Sequence, residues 1–276
     1  MNETSVPSNM PPEKTDEPAL WFILCGKRLL VNKGEVSLTI PLLTNVNELG
    51  FNPLRQFYLG TYRGRHCYAV EIDDKIPIPN NMEPRGIRGM FNHLDEELFK
   101  ITLRAYHLID WDRNYQFCVR CGTKTINKDN ERAKRCTACG NISFIRISPA
   151  VIVMVTKGDQ ILLARAHYFD HNMYSVLAGF VEPGETLEDT VKREIKEEVG
   201  ISVKDISYFG SQPWPFPDSL MIAFTAKHAE GDIRIDKTEI ADAQWFNCKK
   251  LPVIPGKISI ARKMIDWFIE KTENNE

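Results

Sequence analysis

Glu194, Glu197 and Glu198 stand at i, i+3 and i+4, so on a helix their carboxylates share one face about one turn long. Carboxylates gathered in this way hold Mg²⁺ or Mn²⁺. Such ions neutralise phosphate charge and acidify a bound water, which is what hydrolysis of a phosphoanhydride requires. Leu187, Val191, Ile195 and Val199 repeat on another face of the same segment. The spacing predicts a helix over 187–199 that packs with one side and chelates with the other. Gly179 and Gly184 precede it and Gly200 ends it, positions where a tight loop and a helix C-terminus use glycine. Lys192, Arg193 and Lys196 would by themselves describe a solvated acidic helix laced with ion pairs. That reading leaves the glycines and Glu185 unexplained.

A second constellation precedes this one. Cys118 and Cys121, then Cys136 and Cys139, form two CxxC pairs, each followed by glycine, Gly122 and Gly140. Four thiolates complete the tetrahedral shell of a structural Zn²⁺ and leave no position for water. The segment has too few apolar residues for a core, so a metal is what holds it. A redox dithiol needs one such pair, not two. Arg120, Lys124, Lys128, Arg132, Lys134 and Arg135 accompany the cysteines, offset in part by Asp129 and Glu131, and suggest either a solvated basic face or contact with RNA.

Third, Ser211–Met221 reads SQPWPFPDSLM. Pro213, Pro215 and Pro217 remove N–H donors and stiffen the backbone, which excludes a central strand and leaves an edge. Trp214 and Phe216, presented rigidly, suit a planar ring, while Gln212, Asp218 and Ser219 carry groups able to bond a base or ribose. A packed loop or a proline-rich ligand for another domain is the alternative.

The segment Gly179–Ile201 resembles the Nudix family signature, G-x5-E-x7-R-E-U-x-E-E-x-G-U with U aliphatic. Gly179, Glu185, Arg193, Glu194, Ile195, Glu197, Glu198, Gly200 and Ile201 fill every fixed position. The resemblance implies Glu194, Glu197 and Glu198 as ligands of Mg²⁺ or Mn²⁺, with the backbone carbonyl of Ala178 as another. It gives Glu197 or Glu198 the attacking water, and gives Arg193 the task of holding Glu185 and its loop. The array from Gln212 to Ser219, with the four-cysteine ribbon ahead of it, is similar to that of the NADH pyrophosphatase subfamily. That narrower likeness implies a homodimer cleaving NADH or NAD⁺ to nicotinamide mononucleotide and AMP, and removing NAD caps from RNA. It implies Gln212, Pro213, Trp214, Pro215, Phe216, Pro217, Asp218 and Ser219 around the nicotinamide half, and Glu239 as a further metal ligand. Ala261, Arg88, Glu131 and Phe144 follow as substrate contacts, with Phe144 standing where some members have tyrosine. Two other readings remain: an ADP-ribose or dinucleoside polyphosphate Nudix hydrolase, and a zinc-ribbon RNA-binding protein with a vestigial hydrolase domain.

Around these motifs the 276 residues divide into an expected disordered lead (1–18), an N-terminal NADH-pyrophosphatase-like domain (19–112), the ribbon (113–146) and the Nudix domain (147–273). The expected class is α+β: a Nudix α/β/α sandwich preceded by the zinc ribbon and a β-rich N-terminal α+β domain. Short apolar runs between residues 20 and 72 read as strands, apolar spacing from Leu94 to Ile109 as a helix, and residues 259–270 as a closing amphipathic helix. Cys25, Cys67 and Cys248 sit among apolar neighbours and are expected in cores. No internal repeat is visible. The 43% hydrophobic and 26% charged composition and the formal charge of −2 fit an ordinary globular protein with no global basic field. No apolar run approaches the ~20 residues of a membrane span. With no signal or transit character in the first residues, a cytoplasmic setting is expected.

Overall fold

The computed structural model describes residues 5–12, 16–34, 37–129, 131–169 and 172–274. It divides into two units, Met1–Arg146 and Ile147–Glu276. In the first, β1 (Ser5–Pro7), β2 (Ala19–Cys25), β3 (Arg28–Asn32), β4 (Leu42–Leu43), β5 (Arg55–Tyr62), β6 (Arg65–Ile72) and β7 (Met82–Gly86) make one sheet. Its order is β1-β5-β6-β2-β3-β7, with β4 beside β2. β2 and β6 run parallel and the other pairs antiparallel. α1 (Glu96–Asn114) packs on β5, β6 and β2. It begins later than the apolar spacing suggested because Asp95 is its N-cap, accepting from the Leu98 N–H at 2.9 Å. It also runs past Ile109, since Trp111 and Asp112 are still buried.

The lead is not structureless throughout. Residues 1–4 and 13–15 lie outside the described residues, but Ser5–Pro7 pairs with Gly60–Tyr62 as an edge strand. Gly60 permits this: a Cβ there would lie 1.9 Å from the Val6 carbonyl oxygen. Composition could not reveal it, because backbone ladder bonds do not depend on apolar side chains.

β8 (Thr125–Asn127), β9 (Ala133–Cys136) and β10 (Ile142–Phe144) form the small ribbon sheet, in the order β10-β9-β8. Its basic residues are not one face. Lys134 is only 3% exposed and its Nζ lies 2.7 Å from Asp112 Oδ1. Asp112 also accepts from Arg55 Nε at 2.9 Å, and both Arg55 and Arg113 pair with buried Glu71. Arg132 donates to the backbone carbonyls of Ser8 and Tyr58, and Lys128 pairs with Glu131. Arg120, Lys124 and Arg135 remain exposed. The basic-patch expectation therefore loses half its members to internal bonding.

In the second unit, β11 (Ser148–Lys157), β12 (Gln160–Ala166), β13 (Leu177–Phe180), β14 (Ser202–Trp214), β15 (Ser219–Glu230) and β16 (Ile240–Asn247) make a sheet ordered β14-β15-β11-β12-β16, with β13 beside β11. α2 (Leu187–Val199) and α3 (Ile260–Glu273) cover its two faces. Alternation along β11 divides the core: Val151, Val153 and Val155 pack with Val191, Ile195 and Val199 of α2. Ile152 and Met154 pack with Met264, Ile265 and Phe268 of α3. This is the expected α/β/α sandwich. β14 is the edge strand, so Pro213 costs it no ladder bond inside the sheet.

The two units share one topology, which corrects the expectation of no internal repeat. β2-β3-β4-β5-β6-β7-α1 pair as β11-β12-β13-β14-β15-β16-α3 do, including the parallel central pair and the short strand set off the main path. The difference lies between the third and fourth members of the β series. There the second unit has α2, and the first has a single 3₁₀ turn, Val46–Leu49. With the carboxylate helix missing from one copy, the strongest sequence signal has nothing to match.

Candidate active site

The carboxylates of α2 are aimed by the loop before it. Thr186 caps the helix, its hydroxyl accepting from the Asp189 N–H at 3.2 Å, and Gly200 closes it in the left-handed conformation at φ 77°. Glu185 ties the loop together. One of its oxygens accepts from the Glu182 N–H at 3.0 Å and from the Thr190 hydroxyl at 2.8 Å. Arg193 donates to both of its oxygens, at 2.5 and 2.9 Å, and to the Phe180 carbonyl at 2.9 Å. Arg193 thereby joins the end of β13 to α2. Its remaining nitrogen reaches Glu194 at 2.8 Å and Glu197 at 3.0 Å.

The Arg193 guanidinium beside Glu185 holds that carboxyl at about 2, against an ordinary 4.5. A depressed carboxylate contributes stability above its ordinary value and loses it as pH falls through the folded one. Glu185→Gln is therefore expected to lower the melting temperature by a constant amount from pH 8 to about 5, with the difference vanishing as pH falls toward 2. Thermal melts across that range check it. A gap that persists at pH 2 would mean the ion pair is not its source.

Glu194 and Glu198 lie among the buried residues of α2, while Glu197 is exposed at the helix surface. With Ala178, Gly179, Phe180, Glu182, Arg193, Asp236 and Glu239 they line one cleft of about 630 Å³, within the usual range of ligand pockets. Burial pushes the Glu198 carboxyl up to about 8, reinforced by the negative charges of Glu194, Glu239 and Glu197. Burial also raises Glu194. One Glu198 oxygen, Oε2, is buried with no hydrogen-bond partner. Surplus negative charge around an orphaned buried oxygen is the environment that a divalent cation relieves. The carboxylate oxygens do not converge as tightly as the thiolates do. Among the described residues, the four cysteines are the group whose ligand atoms all lie within 4.8 Å of one another.

Gly179 is fixed by space rather than by torsion. A Cβ there would stand 1.9 Å from Glu194 Cδ and 2.1 and 2.2 Å from its oxygens. Because the obstacle is the end of a flexible side chain, Gly179→Ala should move Glu194 rather than unfold the sheet. We expect divalent-metal affinity to fall about 10- to 100-fold while the melting temperature changes by no more than a few degrees. Mn²⁺ titration of the two proteins checks this, and equal affinities would refute it.

The cysteines fit zinc. Sγ–Sγ separations of 3.7 Å (Cys118–Cys139), 3.4 Å (Cys121–Cys136) and 3.5 Å (Cys121–Cys139) approach the ~3.8 Å edges of a tetrahedron with bonds of about 2.3 Å. Two matching knuckles build the site. The Arg120 and Cys139 N–H groups each point at a cysteine sulfur at 3.4 Å, and Gly122 and Gly140 take φ near 70° behind them. Of the other cysteines, Cys67 is buried, and Cys25 and Cys248 are half-buried against the cores.

The array lies in the same unit as the cleft but outside its lining. Trp214 and Phe216 meet edge to face at 5.3 Å, and Pro215 and Ser219 are buried. Gln212 is committed elsewhere: its amide nitrogen donates to the Ile258 carbonyl and its oxygen accepts from the Ile260 N–H, both at 2.7 Å. The expectation of a free amide for a base is corrected to a strut between the array and the start of α3. Ala261 is 4% exposed and packs in the α3 core, so its methyl is enclosed by apolar neighbours. Arg88, Glu131 and Phe144 belong to the first unit. Arg88 is exposed, Phe144 is 60% exposed, and Glu131 is bonded to Lys128.

Three residues of the cleft, Phe180, Glu182 and Asp236, went unread in the sequence. Phe180, directly after Gly179, is 54% exposed beside the carboxylates, and an apolar residue in a strand run carries no mark of that. Asp236 donates its N–H to the Glu198 carbonyl at 2.9 Å and accepts from the Thr238 N–H and hydroxyl, both at 2.8 Å. The resulting turn carries Glu239 to the cleft. The DKTE spacing is the available signal, an Asx turn three residues ahead of a carboxylate.

Comparison with known proteins agrees with this anatomy. Residues 18–111 match the model of the NADH pyrophosphatase-like rudimentary NUDIX domain. Residues 113–144 match the NADH pyrophosphatase zinc ribbon domain, and residues 146–268 the NUDIX domain. The chain is 42% identical over 218 residues to a Pseudomonas aeruginosa protein named NAD-capped RNA hydrolase NudC, covering 79% of this chain and 78% of that one. A protein of the same name from Stutzerimonas stutzeri is 40% identical over 260 residues, covering 91% and 90%. Among solved structures, a NUDIX hydrolase from Nitrosomonas europaea covers 57% of the chain and 93% of its own at 22% identity and a TM-score of 0.49. A rudimentary copy of the fold, a zinc ribbon and a complete carboxylate helix thus occur in one chain, and the chain belongs to the Nudix hydrolases of the NADH pyrophosphatase type.

Proposed function

We propose that this chain is a divalent-metal-dependent NAD(H) diphosphatase. It hydrolyses the pyrophosphate bond of NADH or NAD⁺ to nicotinamide mononucleotide and AMP, and removes NAD caps from RNA 5′ ends. The observation that carries the reading is the cleft itself, an acidic pocket holding a buried, unpartnered Glu198 oxygen. The names of its relatives supply the substrate.

The Ala178 carbonyl, Glu194, Glu197, Glu198 and Glu239 are the groups assigned to hold Mg²⁺ or Mn²⁺. A cation bound there neutralises the diphosphate and lowers the pKa of a water. Glu198, with Glu197 beside it, takes the proton of the attacking water. The water oxygen bonds to one phosphorus as the bridging P–O bond breaks, and the two mononucleotides leave. Arg193 keeps the loop and Glu185 in register throughout. The array from Gln212 to Ser219 holds the nicotinamide half, with Trp214 and Phe216 as platforms and Gln212 as strut. Arg88, Glu131, Phe144 and the backbone at Ala261 complete the substrate contacts.

We assign residues 19–112, 113–146 and 147–273 as the three working domains. The protein is proposed to act as a homodimer, which would cover the exposed ribbon residues Phe117, Val119 and Phe144 and which light scattering would test. Its free cysteines suit a reducing, cytoplasmic setting.

The test is to offer the purified chain NADH, ADP-ribose and NAD-capped RNA in parallel with Mn²⁺. Release of nicotinamide mononucleotide and AMP from NADH supports the reading. ADP-ribose cleavage without NADH cleavage replaces it with an ADP-ribose hydrolase, and no cleavage of any of the three leaves only a zinc-ribbon binding protein.

A further inference from the structure

Beyond the end of β12 the chain makes a turn closed by the Phe169 N–H on the Ala166 carbonyl at 3.2 Å. Register places Ala166 opposite Ile240, so this turn lies alongside the segment that carries Glu239. Two bonds fasten it there. The His167 N–H reaches the Glu239 carbonyl at 3.4 Å, and the His167 ring Nε2 lies 2.9 Å from the Lys237 carbonyl. The next residue, Tyr168, is 85% exposed and meets Phe169 edge to face at 4.9 Å.

A large aromatic side chain held out on a turn that is itself bonded to a metal-ligand segment gains little for the fold, since it buries almost no area. We propose that Tyr168 is a further substrate-contacting residue of this site, its hydroxyl donating a hydrogen bond to a diphosphate oxygen. The inference rests on the diphosphatase reading above. Electrostatics agree with the placement. Burial, and then the charges of Glu198 and Glu239, raise the phenol above its ordinary value. The turn that carries it is bonded to the segment of Glu239, a carboxylate assigned to the cation, so a phosphate oxygen brought by that cation would offer the O–H a partner. The donor remains protonated throughout the physiological range, as the role demands.

The experiment compares the full chain with Tyr168→Phe and Tyr168→Ala. Steady-state kinetics on NADH and on ADP-ribose are measured with Mn²⁺, together with equilibrium binding of a methylene-bridged, non-hydrolysable NAD⁺ analogue. A neutral donor to a charged oxygen held in both ground and transition states is uniform binding. Tyr168→Phe should therefore raise KM about tenfold, leave kcat within about twofold, and weaken the analogue by the same factor. Tyr168→Ala should do at least as much. The factor should match for NADH and ADP-ribose, which share the diphosphate. Melting temperatures of all three proteins should agree, because the residue is exposed. Wild-type kinetics and analogue binding retained in Tyr168→Phe would overturn the proposal, as would a loss confined to NADH, which would move the contact to the nicotinamide half. If the parent itself cleaves no NADH, the diphosphatase reading has failed. Parallel failure of the variants to bind the analogue less tightly than the parent then counts against Tyr168 separately.

Discussion

Glu198→Gln is expected to lower kcat on NADH by about three orders of magnitude while leaving the fold intact. Glu198 stands on the acidic face of α2 one residue before its last, buried, with one oxygen unpartnered. The substitution removes the proton acceptor assigned to the attacking water, a contribution of roughly 10²–10⁴, and weakens the hold on the cation as well. The amide has the same shape, so packing around the buried side chain is unchanged. Stability provides an independent check. In the metal-free protein the folded Glu198 value of about 8 lies above the ordinary 4.5. The unfolded chain therefore releases this proton first, and stability contributed by the protonated form is lost as pH rises from about 4.5 to 8. The substituted amide cannot ionise and escapes that loss. In a chelator at pH 8 the variant should melt above the parent, and at pH 4 the two should coincide. Saturating Mg²⁺ should shrink or reverse the pH 8 difference, because the cation rewards the carboxylate alone. Product release by chromatography and melts with and without Mg²⁺ measure both. Full activity in the variant, or a parent that melts higher in chelator at pH 8, would remove Glu198 from the role given to it.

The site was legible in the sequence to the extent that its chemistry is local. α2 runs over Leu187–Val199 as its spacing predicts, because a carboxylate face, an apolar stripe and a terminal glycine all fall within a few turns of one helix. The zinc ribbon is legible for the same reason: two knuckles, each complete in five residues. What depends on distant partners was not visible. Nothing near Lys134 in the chain shows that it ends against Asp112, in the last turn of α1, instead of facing solvent. The proline-rich array was recognisable as an edge, since three missing donors exclude anything else. That Gln212 spends its amide on the start of α3 requires knowing that residues 212 and 258–260 meet. The duplicated topology was hidden because sheets of one order can be built from unrelated apolar runs, and the first copy lacks the one helix with a signature. Phe180 owes its place at the cleft to strand register, and Asp236 to a turn between strands, properties of pairing rather than of composition.

Removing the zinc is expected to unfold the ribbon and, through one residue, to unsettle the sheet beneath it. The ribbon strands are three or four residues long, too short to stand without the metal. Structural zinc contributes on the order of 10–16 kcal/mol to modules of this kind at neutral pH. Release of β9 would also withdraw Lys134 from Asp112, which together with Glu71 lies buried in a cluster with Arg55 and Arg113. A buried carboxylate deprived of its closest cation costs about 3–5 kcal/mol, toward the lower end here because Arg55 and Gln116 remain bonded to Asp112. Two perturbations separate the effects. Cys136→Ser, or exhaustive chelation, should abolish hydrogen-exchange protection in β8, β9 and β10 and reduce it in β5 and the last turn of α1. Lys134→Met should leave one zinc per chain and a protected ribbon, yet lower stability by about 3 kcal/mol. If ribbon protection survives when zinc content falls to zero, the four thiolates do not hold the module. If Lys134→Met is as stable as the parent, the buried ion pair does not fasten the ribbon to α1, and the metal alone fixes where the module sits on the sheet.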